Sequence, residues 1–443
     1  MTKLKKYYKW LLLPLLVIVV GSAAFIYHQT HQKIILKIGI YAGSSWDVPN
    51  GNDYKVIDTA ISRFEKLHPN VEVVYESGIS KDDYSDWLTD QIVAGTQPDV
   101  FIVPEDDFNL LSSTGVLAKL DEHISTSFDD SIFYESSYKA GNYNNTQYAL
   151  PFESNPTMMC INIDLLEKEG ISIPDSGWTL EDFYNICKQV TKDTDGDGVI
   201  DQYGCIGYTW QQAVAAYGAK LFNTTGTKAY FDSDDVKNAL SLITQLNALS
   251  GNYEVTSQDF DEGKVAFLPM TLAEYRTYKP YPYHVAKYSS FSWSCVTMPA
   301  SSEDGDATQV ATSLYAMSLK TKHRTLAWEF LQLLCTDEDI QQSVFDYSQG
   351  ASVLKSVMQS DATKEKLKED GFGSDSLTVS TLDSMLSQGI TQPTFKTYNT
   401  VLEQADYLIT KSIANNSIET DLFTIQKTIE DSLISRCFCL FSK

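Results

Sequence analysis

Asp193, Asp195, Asp197 and Asp201 in the run DTDGDGVIDQYG are spaced as positions one, three, five and nine of a calcium loop, with Gly198 at position six. Carboxylates at alternate positions converge on a hard cation once a glycine permits the sharp turn between them. Position twelve is Gly204, so the bidentate glutamate that completes an EF-hand is absent. Two readings follow. The run is either a weakened calcium loop around a structural ion, or an Asx-rich turn whose carboxylates bond their own backbone.

Other chemistries leave no comparable spacing. There is no GxSxG, HExxH or phosphate loop, and no local motif selects, from many Glu and Asp, the two carboxylates of a glycoside hydrolase. No cofactor is required, calcium apart. The cysteines at Cys160, Cys187, Cys205, Cys295, Cys335, Cys437 and Cys439 show neither a metal spacing nor an even framework. Cys160, Cys187, Cys295 and Cys335 stand among apolar residues and read as buried thiols. The terminal CFCLFSK has no physical account.

The chain has 443 residues, beyond the size at which one core stops growing, so two domains are expected. Its 34 Lys and Arg against 58 Asp and Glu leave a net charge of -24, which excludes nucleic acid and disfavours anionic membrane. The 26 Tyr, 20 Phe and 7 Trp fill cores and also supply flat surfaces for a ligand.

The elements that must position such residues begin with KIILKIGIY, a strand. Val56, Ile57, Ala60, Ile61, Phe64 and Leu67 then fall three or four apart, a helical stripe stopped before Pro69. VEVVY is a short β-branched strand, and Tyr84, Trp87, Leu88, Ile92 and Val93 trace a second helical face closed by Gly95. DVFIV is continuously apolar, as a strand covered on both faces must be. The order βαβαβ predicts a right-handed parallel sheet with ligands at the strand C-termini. Further on, GNYNNTQYALPF reads as a hairpin entering a strand, and Thr179 with Asp182 resembles a capping arrangement for TLEDFYNICKQVT. Val236 to Leu249 is an amphipathic helix, GKVAFLPM, SWSCVTMP and TSLYAMSL are strands, and HRTLAWEFLQLLC begins a largely helical C-terminal region.

Residues 1–33 form a targeting segment. Lys3, Lys5, Lys6 and Lys9 precede an uncharged run from Trp10 to Tyr27, at the border between a signal peptide and a membrane span. Gly21 to Ala24 offer a cleavage site, but apolar residues continue beyond it, which favours an uncleaved anchor. The rest of the chain is expected on the outer side of the membrane.

RFEKLHPNVEVVYESG, DWLTDQIVAGTQPDVFIV, TGVLAKLD, QYALPF, GKVAFLPM and AWEFLQLL, in this order, resemble the extracellular solute-binding proteins of carbohydrate ABC transporters, the maltose-binding-protein-like class. The resemblance covers roughly residues 34–358. It implies a two-lobed α/β fold of the periplasmic-binding-protein type II, whose chain crosses three times between lobes. Carried over, the crossings fall near Pro151 to Ser154, Pro299 and Thr336. One lobe would hold 34–150 with 300–335, the other 151–299 with 336–443. The implied function is a monomeric receptor that closes on a carbohydrate, expected to be an oligosaccharide, and hands it to permease subunits in the membrane.

Strand ends then become candidate ligand positions. They are Ser44, Ser45 and Trp46 after the first strand, Glu76 and Ser77 after the second, and Glu105 and Asp106 after the third. Opposite them stand Glu153 and Asn155 at the hinge, Trp210, Glu274 with Tyr275, and Gln349. Plainer roles compete: Trp46 as a cap on the sheet, and Glu76, Glu105 and Asp106 as charges at helix N-termini. Trp87 is assigned to the core by its spacing. Three rival functions stand beside this one: a secreted glycoside hydrolase using a carboxylate pair, an anchored sensor with the same binding lobes partnering a histidine kinase, and the same fold as a receptor for a peptide or polyamine.

Overall fold

Three apolar runs become parallel strands, β1 (Ile34–Gly39), β2 (Val71–Tyr75) and β3 (Val100–Val103), in the spatial order β2-β1-β3. The structure, a computed structural model, describes residues 33–52, 54–124, 128–251, 253–278, 291–305, 307–370 and 377–438. The expected targeting segment, apart from Lys33, and Cys439 lie outside them. Among the described residues no helix is long and apolar enough to cross a membrane.

Helix Lys55–Leu67 buries Val56, Ile57, Ala60 and Phe64. Leu67, expected in the same stripe, is 63% exposed because it ends the last turn, beyond the sheet edge that Phe64 covers. Helix Lys81–Ala94 starts on the Ser80 hydroxyl and ends at Gly95, whose φ of 72° is the left-handed value that glycine takes without strain. It buries Tyr84 and Leu88, with Ile92 packed beside them. Val93 is 83% exposed, since one residue further turns the side chain about 100° away from that stripe.

The chain next passes through a hairpin of β4 (Asn142–Tyr143) and β5 (Thr146–Gln147). Asn144 and Asn145 have φ of 51° and 60°, the backbone that a two-residue hairpin turn requires. It leads into β6 (Ala149–Asn162). The later strands are β7 (Tyr203–Cys205), β8 (Val265–Thr271), β9 (Trp293–Val296), β10 (Val310–Met317) and β11 (Ala351–Ser352). β10 lies antiparallel between β3 and the first half of β6, from Ala149 to Pro156. The second half of β6 pairs with β8 and β9, and β7 closes the far edge beside β8. One strand therefore belongs to two sheets.

Each sheet carries its own core. Leu36, Phe101, Leu150 and Leu331 pack in the first lobe. Phe183, Leu240, Phe267 and Ile429 pack in the second, with a neighbouring cluster around Phe260 and Met385. The lobe boundaries differ from those expected. Ala300 and Ala307 remain in the second lobe's core, because the chain past Pro299 still bridges Thr179 and the Ala300 carbonyl accepts from Leu180 at 2.8 Å. Ile340 and Val344 pack in the first lobe. Asp337 caps helix Glu338–Tyr347 and meets Arg63 at 2.7 Å, which holds that helix against Lys55–Leu67 and moves the third crossing from Thr336 to beyond Tyr347.

Gln341 secures this junction. It is 0% exposed, and its amide donates to the carbonyls of Phe152 at 3.1 Å and Leu334 at 3.0 Å. Its oxygen accepts from Ser352 Oγ at 2.7 Å and the Val353 N–H at 3.2 Å. A Gln341→Leu substitution keeps the volume but strands all four partners. It should lower the free energy of unfolding by about 2–4 kcal/mol, as buried unsatisfied groups do, and urea denaturation checks this; a loss below about 0.5 kcal/mol counts against the role.

Candidate functional site

The loop after β1 returns toward the hinge and brings Tyr41, Ser44 and Ser45 beside Glu153 of β6 and Tyr347 and Ser348 of the third crossing. They enclose a pocket of about 50 Å³. That is room for one or two waters. Ser44 is buried and its hydroxyl accepts the Trp46 N–H at 3.0 Å, which shapes the turn.

Glu153 is the electrostatic centre. It is 2% exposed. Its carboxylate accepts from the Ser348 hydroxyl and, at 2.7 Å, from the Gly350 N–H. The half-buried Trp46 indole N–H stands close enough to help hold the charge but makes no hydrogen bond of normal geometry. Burial raises the carboxyl above its ordinary 4.5, and the bonds from Ser348 and Gly350, with the Trp46 indole and the Arg276 charge nearby, oppose that rise. Arg276, itself 5% exposed, donates to the Gly350 carbonyl at 2.9 Å and pairs with Asp370 at 2.9 Å.

The opposite rim follows β3. Glu105 is an exposed residue just after β3, with protein atoms around its carboxyl. Desolvation and then the Asp106 charge raise its carboxyl, against the pull of Lys81. Lys81 itself pairs with Asp47 at 2.6 Å. Asp106 joins the lobes: Asn399, from helix Tyr398–Ala414 of the second lobe, donates to its carbonyl at 3.0 Å and its carboxylate at 3.1 Å. The two lobes therefore touch at this rim.

Other expected residues take local roles. Glu76 is exposed at the end of β2 and accepts from the Trp87 indole at 3.2 Å, so Trp87 is half-buried on Tyr84 with its polar edge outside the core. Ser77 beside it is exposed. Gln349 is half-buried and its amide oxygen is a buried, unpaired acceptor.

The second lobe's expected residues need correction. Trp210 is 4% exposed in the core, its indole N–H given to Asp406 at 2.8 Å, because it opens a helix whose inner face it forms. Tyr275 is 1% exposed against Trp293. Asn155 is buried and accepts the Ala273 N–H at 2.9 Å. Glu274 is exposed, but its carboxylate accepts from the Thr271 N–H and hydroxyl at 2.7 and 2.8 Å, a helix cap. Sequence reasoning missed Tyr41, Tyr347 and Asn399. Only Tyr41 and Tyr347 carried a signal, by adjoining a strand end and the Gln349 segment.

The acidic run forms a tight loop at the edge of the second lobe, next to β7. Asp193, Asp195 and Asp197 bring carboxylate oxygens within 4.8 Å of one another. Asp193 accepts backbone N–H groups of Gly196 at 2.6 Å and Gly198 at 2.7 Å, which pull its carboxyl below the usual range. Gly196 and Gly198 hold φ of 81° and 92°. Asp201 does not join the cluster; it accepts from the Thr194 N–H and hydroxyl.

Two lobes, three crossings and a cleft at the hinge form one framework, and residues 49–341 match the family described as bacterial extracellular solute-binding protein. The chain belongs to that family. This solute-binding protein is 22% identical over 343 residues to the maltotriose-binding protein of Pyrococcus abyssi, covering 74% of the chain and 70% of the relative. It superposes on the sugar-binding protein MalE of Xanthomonas citri with a TM-score of 0.75 at 12% identity, covering 93% and 100% of the two chains. It superposes on the cyclic alpha-maltosyl-1,6-maltose binding protein of Arthrobacter globiformis with 0.73 at 15% identity, covering 91% and 100%. A third neighbour, a substrate-binding protein of Listeria monocytogenes in complex with cycloalternan, gives 0.66 at 19% identity over 90% and 99%. The fold is thus the two-lobed type II fold of solute-binding proteins.

A carboxyl whose folded pKa lies above its unfolded value binds protons more readily when folded, so its charge costs stability once pH rises through the folded value. For Glu153 that cost is absent near and below 4.5 and appears as pH rises through the raised value. Glu153→Gln should therefore flatten the fall in stability as pH rises from about 4.5 upward. Melting temperatures of both proteins across that range measure it; parallel curves would remove Glu153 as the titrating group.

Proposed function

We propose that this solute-binding protein captures an oligosaccharide between its lobes and delivers it to an ABC importer, without catalysing a reaction. The observation that carries the proposal is the convergence of Tyr41, Trp46 and Tyr347 with Glu153 at the floor of a cleft rimmed by Glu105 and Asp106. Aromatic rings cover the C–H faces of a sugar, and carboxylates accept from its hydroxyls. Relatives named for maltotriose and cyclic alpha-maltosyl-1,6-maltose, and one bound to cycloalternan, support this class.

Closure follows from the hinge. Sugar held by the first lobe gains contacts from the second, and this differential affinity shifts the population toward lobes in contact. The protein acts as a monomer on the outer face of the membrane, tethered by its basic and apolar N-terminal segment. The Asp193 loop also holds a structural calcium ion: three convergent carboxylates and two left-handed glycines suit a hard cation.

A thermal-shift screen across maltose-type oligosaccharides should raise the melting temperature, with quenching of Trp fluorescence and no product formed. Trp46→Ala should weaken that binding about tenfold. A shift with a peptide or polyamine and none with sugar would overturn the carbohydrate class, and released sugar would make the protein an enzyme. Calorimetry with calcium is expected to show heat and a raised melting temperature, both lost in Asp193→Asn; silence in the parent removes the ion.

A further inference from the structure

β6 and β9 run antiparallel with Cys160 directly opposite Cys295. Opposed residues in such a ladder hold their Cα atoms about 4.5–5.5 Å apart, inside the roughly 4.4–6.8 Å that a disulfide spans. The two Sγ atoms are 3.2 Å apart, closer than sulfurs ordinarily rest in contact. Backbone register and side-chain placement thus agree independently. Cys160 is 0% and Cys295 5% exposed, in an apolar cluster with Met158, Phe260 and Met270.

We propose that Cys160 and Cys295 are joined by a disulfide in the exported protein. The family is extracellular, and disulfides form and persist in that compartment. The oxidant is a thiol–disulfide exchange partner, a protein or small molecule carrying its own disulfide. Cys295, the less buried, attacks as thiolate, forms a mixed disulfide and releases one thiol of the partner. The Cys160 thiolate then attacks the Cys295 sulfur, forms the S–S bond and releases the second thiol. Two cysteine thiols lose two protons and two electrons, and the partner disulfide gains both. Because both sulfurs are enclosed in the finished lobe, exchange takes place while the sheet assembles.

The bond ties β6, which passes through the hinge, to β9, which leads toward the second crossing. It links positions 135 apart in sequence, so it removes many conformations from the unfolded chain. The second lobe then opens and closes as one rigid leaf.

The test uses the full chain, exported by its host and trapped with N-ethylmaleimide in denaturant without reductant. Peptide mapping should recover Cys160 and Cys295 in one linked pair, lighter than the separate peptides by two hydrogens and released by reductant. Reductant should also lower the melting temperature of the parent by about 3 °C or more and leave the double variant Cys160→Val, Cys295→Val unmoved. Both cysteines found alkylated, even after incubation with oxidised glutathione during refolding, overturn the proposal. So does a link confined to Cys187 and Cys205, which also lie together in this lobe. None of these readings depends on which solute the cleft takes.

Discussion

The strand from Ala149 to Asn162 has to satisfy two sheets at once, and the hinge follows from that constraint. Its first half hydrogen-bonds to β10 and its second to β8 and β9. Pro151 and Pro156 lack donors, and the ladder with β10 shifts register between Ser313 and Leu314, beside the Pro151 to Glu153 segment. A strand weakened there bends more readily than one fully paired. Glu153 lies at this point, where its backbone cannot leave the sheet and its side chain cannot reach bulk water. The charge is tolerated because Ser348 and Gly350 come to it.

That requirement spreads outward. Gly350 must be glycine, since a Cβ there would sit 2.5 Å from a Glu153 oxygen. Its carbonyl is held by Arg276, which stacks over the Phe345 ring at 4.4 Å and is neutralised by Asp370. A cation this deeply buried needs its partner, as does the carboxylate it faces. The third crossing is thus fastened to the first by charge, and to the helices of the first lobe by Gln341. Against this fixed floor the outer rim is lightly held. Asn399 and Asp106 make two hydrogen bonds near solvent, worth little individually, so opening costs little and a ligand's added contacts can decide the equilibrium.

Local signals suffice where one element explains them. The capping box of Thr179 and Asp182, the Gly95 stop and the Asn144–Asn145 turn depend on residues within a few positions. So do the three parallel strands, whose continuous apolar runs imply cover on both faces. The strand ends that carry Ser44 and Glu105, and the hinge position of Glu153, follow from the βαβ order and the family resemblance together. Trp210 and Tyr275 show where this stops. Each adjoins an expected cleft element, yet the direction of an indole or phenol is set by the helix that begins beside it, and both turn into the core.

Periodicity, capping and turn residues are properties of neighbouring positions, and from them alone the chain determines its strands and most of its helices; the two-lobed arrangement is what the family resemblance implies. The lobe boundaries, the seat of Glu153 and the contact between Asn399 and Asp106 join residues up to 293 positions apart. No local pattern encodes such a meeting. It depends on how β6 is shared between two sheets, and on which buried charges must then find partners across the hinge.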